Sequence, residues 1–244
     1  MIDTPALNID FYNPGASRGP DQLNRPQILT VNFVYNLPAL QNQSSFVRSA
    51  FGAWEVSSII SEAAGPSLTP IINSISNIGD PSGTGGAGAL RPMRVPGQPC
   101  RASGGDSRQW LNPNAYTMNG FKLGQIGSSG VGICSGPGNN NVDFSLRKNF
   151  SLTERFKMQF SFDFFNLFNH PQYQASAINM GLDFTSPNTA ATPEFVTAGG
   201  AGTTSLSNAV AIQNTTLNPG TFGFAGQSRE NGWRQMQYGL KIFF

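Results

Sequence analysis

The chain has 244 residues, with 15 Lys and Arg against 13 Asp and Glu, a net charge of +2, and only 11% charged residues. A soluble domain usually carries roughly 25% charge, a nucleic-acid binder shows a basic patch, and a disordered linker would not hold 19 Phe. No apolar run reaches the ~18 residues of a membrane-spanning helix, and frequent Gly, Pro and Asn break any helical bundle, so the composition leaves a β protein with long Gly-, Asn-, Ser- and Pro-rich connections.

Residues 1–26 read as a loop segment, and the opening Met1-Ile2-Asp3-Thr4-Pro5 shows neither the basic nor the apolar region of a signal peptide. A first alternating segment, near 27–37, sets Leu29, Val31, Phe33, Tyr35 and Leu37 against Thr30, Asn32 and Asn36, with Ile28 and Val34 blurring the polar side. A second, near 50–62, sets Trp54, Val56 and Ile60 against Glu55, Ser57 and Ser61. The long stretch that follows is rich in small residues, notably the Gly79–Gly88 run, and is expected to bury little apolar surface and to be mobile. Trp110-Leu111-Asn112-Pro113 should be its ordered part, because a Trp and a turn signal coincide. Cys100 and Cys134 lie in Gly-rich surroundings and permit either one disulfide or two free thiols.

A third segment, near 142–149, sets Val142, Phe144 and Leu146 against Asp143, Ser145, Arg147 and Asn149. The clearest runs over 155–168: Phe156, Met158, Phe160, Phe162, Phe164 and Phe168 share one parity, and Arg155, Lys157, Gln159, Ser161 and Asp163 the other. The last, over 234–244, sets Met236, Tyr238, Leu240, Ile242 and Phe244 against Gln235, Gln237, Gly239 and Lys241. A helix would mix these sets, whereas a strand separates them onto opposite faces.

Such segments are longer than the 5–6 residues of an average strand and match the ~9–11 of a tilted membrane-crossing strand. A charge on a lipid face costs roughly 2–4 kcal/mol at mid-depth, and the lumen face tolerates it. In a barrel the apolar rows would therefore meet lipid, and Lys157, Gln159, Asp163, Gln237 and Lys241 would face the lumen. A β-sandwich yields the same alternation, so a secreted or surface adhesin is the alternative. Connection lengths favour the barrel. Pro38–Ser49 and Phe150–Glu154 are short, while Ala63–Asn141 and Asn169–Trp233 are long. This alternation matches short periplasmic turns and long extracellular loops, with the last strand ending in the periplasm.

The blocks Asn141-Val142-Asp143-Phe144-Ser145-Leu146-Arg147-Lys148-Asn149-Phe150, Thr153-Glu154-Arg155 and Phe164-Phe165-Asn166-Leu167-Phe168-Asn169-His170-Pro171 resemble the C-terminal barrel of TonB-dependent receptors. The nearest subgroup is the Oar-like set with an N-terminal carboxypeptidase-regulatory-like domain. Asn32-Phe33-Val34-Tyr35-Asn36-Leu37-Pro38, Trp54-Glu55-Val56-Ser57, Trp110–Tyr116 and the ending Gly239-Leu240-Lys241-Ile242-Phe243-Phe244 fit the same resemblance, which covers the chain from about Arg25 onward. It implies an all-β fold, with residues 27–244 forming about five antiparallel strands of a larger barrel in the bacterial outer membrane. Receptors of that class close roughly 22 strands around a plug, so the chain reads as a C-terminal piece of a longer protein. The implied partners are outer-membrane lipid, the remaining strands and plug, and TonB through parts N-terminal to this chain. Met236, Tyr238, Leu240, Ile242 and Phe244 resemble the C-terminal signature read by the barrel-assembly machinery. No cofactor is implied.

Enzymatic chemistry finds no foothold. His170, the one histidine, sits in a turn-like Asn169-His170-Pro171 without acidic or Cys neighbours. The Gly79–Gly88 run lacks the Lys-Ser/Thr of a phosphate loop, and Gly127-Ser128-Ser129-Gly130 is not a nucleophile elbow. Asp163 and Glu55 lie on separate strands, and general acid–base work would need them within reach of one proton. No catalytic, cofactor-binding or metal-binding residue is nominated, and a nucleic-acid partner is not expected.

Overall fold

The structure is a computed structural model, and it describes residues 13–76, 81–82, 90–104, 106–151, 153, 155–174, 177–187, 194–226 and 232–244. In chain order the strands are β1 (Ile28–Asn36), β2 (Trp54–Ala63), β3 (Ser67–Leu68), β4 (Ile71–Ser76), β5 (Met93–Arg94), β6 (Tyr116–Thr117), β7 (Cys134–Ser135), β8 (Asn139–Ser151), β9 (Lys157–Phe165), β10 (Gly181–Thr185), β11 (Phe195–Thr197), β12 (Gly202–Thr203), β13 (Ala209–Ile212), β14 (Thr216–Asn218) and β15 (Gln235–Phe243). One α-helix, α1 (Ser45–Phe51), lies between β1 and β2. The fold is all-β, and no helix is long and apolar enough to cross a membrane among the described residues. The chain divides into two compact units.

The first unit comprises Arg25–Ala64, Gly138–Tyr173 and Ser228–Phe244. Its five long strands form one antiparallel sheet in the order β1-β2-β8-β9-β15. The registers align every row. Tyr35, Val56, Leu146, Phe162 and Tyr238 stand opposite one another across all five strands, as do Phe33, Ser58, Phe144, Phe164 and Met236. The other parity aligns Asn36, Glu55, Arg147, Ser161 and Gly239, and then Val34, Ser57, Ser145, Asp163 and Gln237. Slipping one strand by one residue would throw its Phe and Leu side chains among the charges of its neighbours, so the alternation itself fixes the register.

The sheet departs from the sequence reading at several strand ends: β8 extends beyond 142–149 at both ends, β9 starts at Lys157 rather than at 155, and two further departures have a backbone cause. The segment expected from residue 50 begins as the last two residues of α1, and β2 starts only at Trp54, after Ala53 takes a left-handed backbone (φ 54°). The row expected to run through Phe168 stops at Phe165, because Asn166 is also left-handed (φ 51°) and turns the chain out of the sheet. Extended pairing cannot pass such a residue. Phe168 therefore lies exposed beyond the strand.

The second unit comprises Met1–Asn24, Gly65–Pro137 and Gln174–Gln227. It is built from the two long excursions, which leave the sheet after β2 and after β9 and return at β8 and β15. Ala63 pairs with Asn139 and Phe165 with Gln235, so both excursions start and end at the same end of the sheet. The short connections occupy the other end. The expectation that the excursions bury little apolar surface is overturned. Leu68, Ile72, Leu90, Leu111, Met118, Phe121, Leu182, Ile212 and Phe222 are fully buried there.

The two excursions fold into each other. β4 of the first pairs in parallel with β10 of the second, and β14 completes that sheet. The Trp110 N–H donates to Gly223 O at 2.7 Å, and isolated bridges join Gln109 to Phe224 and Lys122 to Ala211. Part of the glycine content serves this packing. A Cβ on Gly223 would lie 2.6 Å from Leu111 O at a φ of +73°, and one on Gly127 would lie 1.9 Å from Arg91 O. Of the Gly79–Gly88 run only Pro81 and Ser82 are among the described residues, so its expected mobility lies outside them.

Candidate functional site: the two faces of the sheet and its rims

Every residue of the apolar parity stands on one face. On β9 and β15 that face is Met158, Phe160, Phe162 and Phe164 against Ile242, Leu240, Tyr238 and Met236. Aromatic rings meet across strands, with Phe144 and Phe164 at 6.2 Å and Phe162 edge-on to Tyr238 at 6.2 Å. This greasy face remains uncovered. Tyr35 is 60% exposed, Tyr238 71% and Leu240 57%. A sandwich would have buried these side chains against a second sheet. Contiguous apolar surface of this extent marks a face that meets another apolar phase.

The opposite face carries the charges. Lys157, Gln159, Asp163, Gln237 and Lys241 all stand on it, as the alternation predicts. Arg147 lies between Glu55 (3.8 Å) and Asp163 (4.0 Å), and Ser145 donates to Asp163. Gln159 donates to Asn149 at 3.0 Å. These part-exposed pairs are worth about 0–1 kcal/mol each, so they organise the face more than they hold the fold. Glu55 and Asp163, which the sequence leaves on separate strands, share Arg147. Among the described residues no group of three His, Cys, Asp or Glu side chains is placed to hold a metal ion.

Four polar residues interrupt the apolar face; two of them, Glu62 and Asn140, pair with each other at the excursion end, Asn140 Nδ2 donating to Glu62 Oε1 at 3.2 Å. Ser58 donates to Asp143 O at 2.8 Å across the β2–β8 pair. Lys148, which sequence alternation did not single out, stands in the apolar row between Trp54 and Phe160 and is 4% exposed. Its Nζ donates to Ser49 O and to Gly52 O (2.7 Å) at the C-terminal end of α1, and lies 5.2 Å from the ring centroids of Trp54 and Phe150. Trp54 Nε1 donates to Ala50 O at 2.9 Å. Both contacts draw the end of α1 over the apolar face. The carbonyl end of a helix carries partial negative charge and so suits an ammonium, and the aromatic faces add cation–π attraction.

At the opposite rim the Asn166–His170 block forms a knot. Buried Asn166 donates from Nδ2 to His170 O (2.9 Å) and Gly232 O (2.7 Å), and its Oδ1 accepts from His170 N (2.9 Å). Its own N–H donates to Asp143 Oδ1 at 2.9 Å. Asn169, also left-handed, accepts from Arg234 N–H at 2.9 Å. The block thus ties the end of β9 to β8 and to the start of β15. His170 contributes only backbone groups to this knot.

In the second unit Cys100 and Cys134, 34 positions apart in sequence, are joined as a disulfide with Cα atoms 5.7 Å apart. Tyr116 lies 3.1 Å from Cys134 Sγ through its hydroxyl, is edge-on to Phe222 at 5.6 Å, and carries the Arg94 guanidinium 5.1 Å from its ring centroid. Burial pushes its phenol up to about 12, against the opposing pull of Arg94. Trp110 is ordered as expected, donating to Ser135 O at 2.7 Å with Arg101 stacked 3.8 Å from its ring centroid.

No curated protein and no solved structure matches the chain. The family described as outer membrane beta barrel domain matches residues 3–237. A single antiparallel sheet with one bare apolar face and one charged face is what such a domain needs, and the chain belongs to this family of bacterial outer-membrane β-barrel proteins.

Proposed function

We propose that this chain forms part of the barrel wall of a TonB-dependent outer-membrane receptor, of the Oar-like kind its motifs resemble, and serves uptake of a bulky substrate or contact with it at the cell surface. The observation that carries this reading is the predominant sorting of residue types across five registered strands, with aromatic and aliphatic rows on one face and Glu55, Arg147, Lys157, Asp163 and Lys241 on the other. The Leu29-to-Tyr35, Met158-to-Phe164 and Met236-to-Ile242 rows meet lipid. Lys157, Gln159, Asp163, Gln237 and Lys241 face the lumen, where a plug from the rest of the receptor would pack. The outer edges of β1 and β15 have no neighbouring strand among the described residues. An unpaired backbone group in lipid costs several kcal/mol, so further strands pair there in the working receptor. The rows ending at Phe244 present the signature for the barrel-assembly machinery, and TonB engages parts N-terminal to this chain.

With the last strand ending in the periplasm, the chain that leaves the sheet after β2 and after β9 passes outside the cell, and α1 with the turn between β8 and β9 lies on the periplasmic side. Two single-cysteine variants test it. Ser107→Cys, in the first excursion, should react with a membrane-impermeant maleimide on intact cells. Gln43→Cys, beside α1, should react only after the outer membrane is permeabilised. The reverse pattern overturns the orientation, and recovery of the protein without detergent overturns the barrel. For the receptor role, accumulation of the substrate should vanish both in cells lacking this protein and in cells lacking TonB; uptake that survives loss of TonB excludes the energised role.

A further inference from the structure

We propose that the short-connection end of the sheet carries a binding pocket for the phosphate headgroup of a phospholipid, read by Lys148 and Arg48. The proposal rests on the reading of the apolar face as lipid-facing. The pocket is an open groove of about 590 Å³, lined by Gln41, Arg48, Ser49, Lys148 and Phe150 and, from the other parity of β8, Asn149 and Ser151 among others. That volume falls within the roughly 300–1,000 Å³ of small-molecule sites.

Its charge is one-sided. Among the described residues no carboxylate lines it. Among the described residues neither Lys148 nor Arg48 belongs to an ion pair; the acidic partners of this sheet, Glu55 and Asp163, are both taken by Arg147 on the other face. An ammonium has three donors, and Lys148 uses two of them on Ser49 O and Gly52 O. The third makes no hydrogen bond among the described residues, and the Arg48 guanidinium and the Gln41 amide line the same groove. A buried cation without a counter-charge costs several kcal/mol, and an incoming phosphate diester supplies that charge and the acceptor oxygens together.

Position selects a lipid over free phosphate. Lys148 and Phe150 belong to the apolar row, which continues across the sheet to Phe160 and Met158. The helix bordering the pocket exposes Phe46 (77%) and Phe51 (63%) beside Arg48. A short helix that pairs exposed aromatics with a basic residue suits the plane between acyl chains and headgroups. A phosphate seated between Arg48 and Lys148 would leave its acyl chains along the Phe150, Met158 and Phe160 row.

The test uses the full chain extracted from outer membranes in a non-ionic detergent. Dihexanoylphosphatidylglycerol should bind saturably, inorganic phosphate at least tenfold more weakly, and Arg48→Gln should weaken lipid binding at least fivefold. Lys148→Met should do the same. Should it prevent folding, Arg48→Gln still decides, since the exposed Arg48 side chain has no hydrogen-bond partner among the described residues. Equal affinity for inorganic phosphate overturns the lipid assignment, and binding that is absent or indifferent to Arg48→Gln overturns the pocket. The underlying reading has its own readout: a Leu240→Trp variant should be quenched by phospholipids brominated on their acyl chains. Quenching without an Arg48 effect sinks the pocket alone, and absence of quenching sinks the lipid-facing reading.

Discussion

Asn166 shows how much structure one residue can fix. Its left-handed backbone ends β9, and its amide side chain then serves two carbonyls and one N–H at the rim. Asn adopts that conformation more readily than other residues with a side chain, which is why the Asn-Leu-Phe-Asn-His-Pro block is recognisable as a string. Asn166→Ala should cost roughly 3 kcal/mol, from orphaned buried groups plus backbone strain. Asn166→Gly should recover only the strain, so its urea midpoint should fall between those of Ala and wild type. Tyr116 gives a second prediction, with its sign set by burial. Its phenol titrates near 12 when folded and near 10 in an unfolded chain. Between about pH 10 and 12 the unfolded chain releases a proton that the folded unit keeps, so stability falls as pH rises through that window, by roughly 2–3 kcal/mol in full. Denaturant midpoints across that range should decline less steeply for Tyr116→Phe. Lys148 is the residue the sequence concealed. A single Lys among Val142, Phe144, Leu146 and Phe150 reads as an ordinary lapse in alternation, and only the arrival of α1 at its Nζ gives it a partner.

At the scale of elements, what was legible depended on length. β8, β9 and β15 are long enough for period-2 alternation to stand out, and their registers follow from it. α1 was not legible. Seven residues make about two turns, too few to establish a helical period, and Ser-Phe-Val-Arg-Ser-Ala-Phe continues smoothly into the β2 pattern. Its start is marked only by Ser44, whose hydroxyl caps Val47 N–H at 3.4 Å. The strands of the excursion unit were equally hidden, because most are two to six residues long and lie between glycines. The faces of the long strands permit a direct test. Leu240→Lys places a charge on the apolar face and should destabilise the protein in lipid vesicles by about 2–4 kcal/mol. Gln237→Lys, three positions away on the charged face, should stay within about 0.5 kcal/mol. Heat-dependent gel migration and denaturant midpoints in vesicles would show the contrast, and equal costs would mean that neither face meets lipid.

The whole molecule joins two units that draw stability from different sources. The sheet unit leaves Leu29, Val31, Phe33, Tyr35 and the β15 row exposed, so it has little core of its own and depends on an apolar phase around it. The excursion unit has the opposite constitution, with a closed apolar core, interleaved strands and a disulfide. The low charge of the chain therefore has two origins, exposed apolar rows in one unit and close-packed uncharged segments in the other. In the chain-entropy account, a disulfide closing a loop of this length contributes roughly 3–4 kcal/mol, a large share of a small unit's stability. Replacing Cys100 and Cys134 together by Ser should therefore loosen the excursion unit selectively. Protease added to intact cells should cut the variant within 65–137 and 174–227 while wild type resists. The sheet, whose strands pair without help from the disulfide, should keep its heat-dependent gel migration. Loss of both properties together would show that the two units fold as one cooperative body.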